Sequence, residues 1–107
     1  MKGNEIMGIA IGNYNFGGPF PNTGSLYGQS GVYAILGRRN PQEQWTVLDI
    51  GESGDVKNRV ECHDRADSWK RQGQTELAVA AHYCDERMRM KIEQELRALY
   101  NPPCGDR

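Results

Sequence analysis

The sequence predicts a small α+β domain built around one core. Three patterns support this prediction: two short apolar runs joined by a polar loop, a third run that alternates, and a long helical pattern near the end of the chain. With 107 residues, 37% of them hydrophobic, the chain has room for a single compact domain. We expect residues 1–30 to form an N-terminal strand and a wrapping segment rich in glycine and proline, and residues 31–107 to form the folded unit.

The N-terminal region carries two different signals. Residues 6–11 are mostly apolar and predict one short strand. Residues 12–30 are rich in Gly, Pro, Asn and Ser, which favours turns and loops. This segment is too aromatic for a flexible linker, so we expect it to pack over the domain. Its aromatic residues are Tyr14, Phe16, Phe20 and Tyr27.

Two β-rich apolar runs, residues 32–36 and 45–50, flank a polar loop and predict a hairpin. Side chains alternate between the two faces of a strand, so Asp49 is predicted to share a face with Trp45 and Val47. A carboxylate at the end of an apolar row has three interpretations. It accepts backbone N–H bonds, it pairs with Arg59, or it binds a metal ion.

A first helix is predicted after this hairpin, capped by Ser53 and running to about residue 64 or 65. Val56 and Val60 form its apolar face. Arg59 and His63 lie four residues apart and flank that face, whereas Arg65 falls on the solvated side. The ordinary structural interpretation is an arginine stem along the core edge and a histidine bonded to a carbonyl group.

The second half of the chain predicts a short turn at residues 66–72, a third strand at residues 75–84 and a long helix after Asp85. This helix reaches Tyr100 and stops before two prolines. Glu93 and Glu95 flank its apolar face. That face is predicted to consist of Met88, Ile92, Leu96 and Leu99.

Charge and cysteine usage limit the possible functions. A net charge of -1 argues against tight binding of DNA through a basic surface. Arg38 and Arg39 form a local basic pair, expected either as solvated surface or as substrate-binding residues. No apolar run is long enough for a transmembrane helix, no secretory signal is evident, and three cysteines fit a reducing cytoplasm.

The motifs resemble those of the GIY-YIG nuclease family over roughly residues 30–105. Gly31-Val32-Tyr33 is similar to the first motif, and Asp49-Ile50-Gly51 to the second. The second motif of the family opens with tyrosine, where this chain has Asp49. An asparagine usually follows the closing prolines of the family, where this chain has Gly105.

The helices carry the remaining part of the resemblance. Arg59 and His63 match the family's Arg-x-x-x-His pattern on the first helix. On the last helix, the spacing to Pro102 selects Glu93 over Glu95 as the counterpart of the metal-binding glutamate.

The resemblance implies a three-stranded antiparallel sheet flanked by helices, and an endonuclease that hydrolyses nucleic-acid phosphodiester bonds, with DNA as the expected substrate. One divalent cation, Mg²⁺ or Mn²⁺, is the implied cofactor. Tyr33 and His63 would deprotonate or orient the attacking water. Arg59 would hold the scissile phosphate, and Glu93 would bind the metal, with Asp49 as a second candidate ligand.

Two other hypotheses remain open at this point. The first is a non-catalytic module of the same fold that binds nucleic acid or a protein partner. The second is a small structural protein whose polar cluster is a buried network. A domain this weakly basic would use a second copy of itself or a protein partner to hold a nucleic acid, and it is expected in the cytoplasm without membrane contact.

Overall fold

The computed structural model describes residues 8–105, which form one antiparallel sheet and three α-helices. The five strands lie in the order β1-β2-β5-β3-β4. Their bounds are β1 Gly8–Ile11, β2 Tyr14–Phe20, β3 Gly31–Arg38, β4 Thr46–Ser53 and β5 Glu76–Tyr83. The helices are α1 Val56–Glu61, α2 Ala66–Lys70 and α3 Glu86–Tyr100.

The predicted α+β class is confirmed, but the sheet is larger than the three strands expected. Strands β4, β3 and β5 are those three. Residues 12–30 were predicted to be turns and loops, yet Tyr14–Phe20 is strand β2, which pairs with both β1 and β5. A two-residue turn at Gly12, whose φ is 61°, closes the β1–β2 hairpin. Residues 6 and 7 of the predicted first strand lie outside the described residues.

The sheet carries a hydrophobic cluster on each face. Tyr33 and Ile35 of β3 face α1 and α2, and they pack with Val56, Val60 and Trp69. The alternate residues of β3 face α3. These are Val32, Ala34 and Leu36, which pack with Ile92 and Leu96. Helix α2 forms around Trp69, and β5 presents the predicted row of Leu77, Val79, Ala81 and Tyr83 to the first cluster.

A bulge in β4 changes which face Asp49 occupies. Opposite Ile35 and Leu36, β4 contains one extra residue, Leu48. Asp49 pairs with Ile35 and therefore faces α1 and α2, whereas Val47 packs with the cluster under α3. The predicted common face of Asp49 and Val47 is wrong, because a single inserted residue resets the two-residue period of the strand.

Helix α1 is shorter than predicted. Asp55, not Ser53, is its N-cap, and its carboxylate accepts the Asn58 N–H at 3.0 Å. The helix ends at Glu61, so residues 62–65 form a connection to α2. Arg65 is therefore not on a solvated helix face, and its guanidinium turns toward β4 instead.

Helix α3 begins after the predicted cap, Asp85, whose carboxylate accepts the Met88 N–H at 2.9 Å. Its buried residues are Ile92, Leu96 and Arg97. Met88 and Leu99, predicted on the apolar face, are exposed, because the buried stripe continues through Arg97 rather than Leu99. Within residues 8–105, no helix is long and apolar enough to cross a membrane.

Candidate active site

A polar pocket of about 270 Å³ opens where β3, β4, α1 and α3 meet. Three of the four residues predicted to be catalytic line it: Tyr33, Arg59 and Glu93. The fourth, His63, lies behind Tyr33 with its side chain fully buried. The remaining lining residues are Ile50, Gly51, Glu52, Arg65 and Arg97.

Tyr33 and Gly51 form a cross-strand pair that links the two motif stretches. The Tyr33 side chain is almost fully buried, and its ring lies directly over Gly51. A Cβ atom at Gly51 would overlap the Tyr33 hydroxyl and Cζ and would lie 2.7 Å from Cε1. Glycine is thus required at this position so that the Tyr33 hydroxyl can reach the pocket.

The Tyr33 hydroxyl and His63 Nε2 are 2.7 Å apart. On the other side of the ring, His63 Nδ1 accepts the Arg65 backbone N–H at 3.0 Å. Burial, followed by the charges of Arg59 and Arg65, lowers the pKa of His63 from 6.5 to about 4. The ring is therefore neutral at pH 7.

The hydrogen bonds of the neutral ring fix its tautomer. Because Nδ1 is an acceptor, the ring proton lies on Nε2 and is donated to the Tyr33 oxygen. Asp64 Oδ1 is also 3.3 Å from Nδ1, but Asp64 is largely exposed and solvated, whereas the Arg65 N–H is fixed in direction. The Tyr33 proton consequently points away from His63.

Burial raises the pKa of Tyr33 above its usual value of 10, while the nearby Arg59 charge opposes this rise. The hydroxyl is protonated at neutral pH. Three groups can stabilise its ionised form: the guanidinium groups of Arg59 and Arg65, and the Nε2–H of His63.

Arg59 is the most exposed of the four residues predicted to be catalytic. It lies on α1, its side chain is 39% exposed, and its Nη2 is 3.4 Å from Asp64 Oδ1. An ion pair between two such solvated groups is weak, so it does not fix the guanidinium strongly. Arg59 can therefore turn toward an anion in the pocket.

Asp49 is fully buried, and both of its oxygens accept hydrogen bonds. Arg65 donates through Nε at 2.9 Å and Nη2 at 3.3 Å, and Trp69 Nε1 donates at 2.7 Å. Arg97 Nη2 donates at 2.5 Å. The predicted pairing of Asp49 with Arg59 is wrong, because this carboxylate pairs with Arg65 and Arg97 instead.

Glu93 lines the pocket with a side chain that is 13% exposed, and its Oε2 accepts from Arg97 Nε at 3.1 Å. Glu95 accepts from the Tyr14 hydroxyl at 2.8 Å and is not part of the lining. Residues 8–105 contain no cluster of three His, Cys, Asp or Glu side chains arranged for a metal ion. Mg²⁺ typically uses one or two carboxylates and completes its shell with water and phosphate oxygens, so a single glutamate fits such a cation.

Arg38 and Arg39 do not line the pocket. Arg38 is five residues from Tyr33 along β3, or about 17 Å at the rise of a strand. Its Nε is 3.0 Å from Glu76 Oε1, and its guanidinium stacks over Trp45 at 4.0 Å. The expected substrate-binding pair is therefore at the far end of the hairpin.

The sequence interpretation missed the two arginines that bind Asp49. Arg97 follows Glu93 by four residues on α3, and its Nη1 also donates to the Gly105 carbonyl at 2.9 Å. Gly105 has a φ of 83° and packs against this guanidinium. Because a buried aspartate needs a cationic partner, Asp49 itself predicts a nearby arginine or lysine. It does not identify which arginine that is.

No protein-family model matches the chain, and neither a curated protein nor a solved structure matches it. The resemblance to GIY-YIG nucleases thus rests on the sequence motifs alone.

Proposed function

We propose that this protein is a metal-dependent endonuclease that hydrolyses phosphodiester bonds of nucleic acid, with DNA as the expected substrate. The observation that supports it best is one polar pocket lined by Tyr33, Arg59 and Glu93, with His63 bonded to the Tyr33 hydroxyl. Four residues separated along the chain supply a general base, its hydrogen-bond partner, a cation and a carboxylate. This set is suited to phosphodiester hydrolysis.

In the proposed mechanism, Arg59 binds a non-bridging oxygen of the scissile phosphate and balances the charge that develops there. Tyr33, in its phenolate form, takes the proton of the attacking water. His63 holds the Tyr33 oxygen through its Nε2–H and, as a neutral donor, stabilises the phenolate form of Tyr33. Gly51 keeps the space above β4 open for the Tyr33 ring.

The proposed cofactor is Mg²⁺ or Mn²⁺, held by Glu93. When bound, such a cation polarises the phosphate and stabilises the leaving oxygen. Arg97 orients the Glu93 carboxylate through its Nε at 3.1 Å, and Asp49 in turn fixes Arg97. Asp49 has both oxygens engaged by protein donors, and the motif spacing selects Glu93, so we assign the metal to Glu93.

One observation favours a second candidate, a non-catalytic module of this fold that binds nucleic acid or a protein. Asp49 stands where the related motif has tyrosine, and it is buried beneath Arg65 and Arg97. The pocket therefore has one phenol, from Tyr33, instead of two. A site of this kind could still bind a phosphate without cutting the chain.

Nicking of supercoiled plasmid separates the two candidates. The purified protein is incubated with Mg²⁺ or Mn²⁺ beside Glu93→Ala and Glu95→Ala. Both variants remove one carboxylate from α3, but Glu95 does not line the pocket, so it is a matched control. The nuclease proposal predicts metal-dependent nicking that Glu93→Ala loses and Glu95→Ala keeps. Plasmid binding without nicking under either metal would favour the second candidate.

A further inference from the structure

We propose that Arg65 forms a second phosphate-binding position in the pocket, next to that of Arg59, and that Asp49 positions it. The ligand is a second phosphodiester group of the same polynucleotide. This inference deepens the proposed function and rests on it.

The first support is the way in which the Arg65 guanidinium is held. Its Nε and Nη2 donate to the two oxygens of Asp49 at 2.9 and 3.3 Å. This bidentate geometry fixes the plane of the guanidinium. Asp49 is itself immobile, because it is fully buried and accepts from Arg97 and Trp69 as well. Arg65 is thus oriented before any ligand arrives.

The second support is that part of the Arg65 guanidinium faces the pocket and is not bonded to Asp49. The Arg65 side chain is 30% exposed and lines the pocket. Its Nη1 makes no hydrogen bond to any residue in the range 8–105. A guanidinium carries five N–H donors, so donors remain that can face a ligand. Arginine held on one side by a carboxylate presents the other side of its planar group in a geometry that suits phosphate.

The third support is that Arg59 and Arg65 are held independently. Arg59 belongs to α1 and its partner is Asp64, whereas Arg65 belongs to the connection after α1 and its partner is Asp49. Both guanidinium charges nevertheless act on Tyr33, where they oppose the rise in its pKa that burial causes. Two cations on different elements beside one hydroxyl, each with its own acidic partner, suit two neighbouring phosphates better than one shared phosphate.

Salt-dependent binding tests this arrangement. A fluorescent DNA duplex is titrated in EDTA, where no cleavage occurs, with the wild type, Arg59→Ala, Arg65→Ala and the double variant. Each phosphate contact contributes about 0.9 to the slope of log affinity against log salt concentration. Each single variant should therefore lower the slope by about 1 and the double variant by about 2. Arg65→Ala should also bind about tenfold more weakly, the scale of one charge-assisted hydrogen bond.

Three further variants protect the test. Arg65→Lys keeps the charge and should keep the wild-type slope. Arg65→Gln removes the charge but still offers Asp49 a neutral donor, so it should fold even if Arg65→Ala does not. Its slope should be lower than that of the wild type by about 1. Arg87→Ala removes an exposed arginine that does not line the pocket and serves as a surface control. An RNA duplex of the same sequence, run in parallel, identifies which polynucleotide supplies the phosphate.

The outcomes separate this inference from the proposed nuclease activity. An unchanged slope for Arg65→Gln, or a double variant no different from Arg59→Ala alone, overturns the second phosphate position and leaves the nuclease proposal standing. If the protein binds with the expected slopes but never nicks DNA, the second phosphate position stands and the proposed nuclease activity is overturned. A wild-type protein that binds neither polynucleotide overturns both.

Discussion

Replacing His63 with glutamine should remove a specific part of the pH dependence of stability. The His63 side chain is fully buried and its pKa is lowered from 6.5 to about 4. Because the folded-state pKa lies below the unfolded-state value, folding favours the neutral ring. That contribution is fully present above pH 6.5 and is lost as the pH falls toward 4. A shift of this size corresponds to about 3 kcal/mol, of which about 2 kcal/mol is lost between pH 7 and pH 5.

Urea unfolding of the wild type and His63→Gln at pH 7, 6, 5 and 4, followed by circular dichroism, measures this contribution. Glutamine has no charge in this range, so groups other than His63 titrate in both proteins and cancel in the difference. At pH 7 the wild type should be the more stable protein, because its ring bonds both Tyr33 and the Arg65 backbone. The gap should shrink by about 3 kcal/mol by pH 4. A gap that stays constant across the series would show that the ring is not held neutral.

Two other substitutions test the packing beneath the pocket. Gly51→Ala should lower the free energy of unfolding by about 1–3 kcal/mol and abolish nicking, because the new methyl group overlaps the Tyr33 ring; Gly54→Ala, whose nearest neighbouring atom would lie 4.0 Å away, should change little. Asp49→Ala should lower the free energy of unfolding in urea by about 3–5 kcal/mol, because two arginines lose their buried counter-ion. A loss under about 1 kcal/mol in the Asp49 variant would contradict the role of this carboxylate as their anchor.

The parts of the fold that were predicted from the sequence carry local signals. Strands β3 and β5 alternate or run apolar, and α3 has an N-cap and a proline stop. Strand β2 was missed because its Gly and Pro content resembles a loop, and its pairing with β1 and β5 is a tertiary property. The bulge at Leu48 was missed because one inserted residue is invisible in a short apolar run.

The motif residues of the candidate site were predictable from the sequence, but the side chains that hold them in place were not. Tyr33, Arg59 and Glu93 were predicted together from the motifs, and the structure brings all three to one pocket. Arg65 was placed on a solvated face, since nothing in the sequence marks the early end of α1 at Glu61. Its true position depends on its hydrogen bond to Asp49, which lies 16 residues earlier in the chain. Helical periodicity does not predict a contact at that separation.

The most direct test of the central claim is the rate of plasmid nicking against pH, with Mg²⁺, for the wild type and Tyr33→Phe. The pKa of Tyr33 is raised, so its phenolate fraction, and with it the wild-type rate, should climb from pH 6 to pH 9. Phenylalanine keeps the ring over Gly51 and removes the hydroxyl, so this variant should fold and nick at least about 100-fold more slowly. A wild type that shows no metal-dependent nicking at any pH, or a Tyr33→Phe variant that nicks as fast, would contradict the assignment.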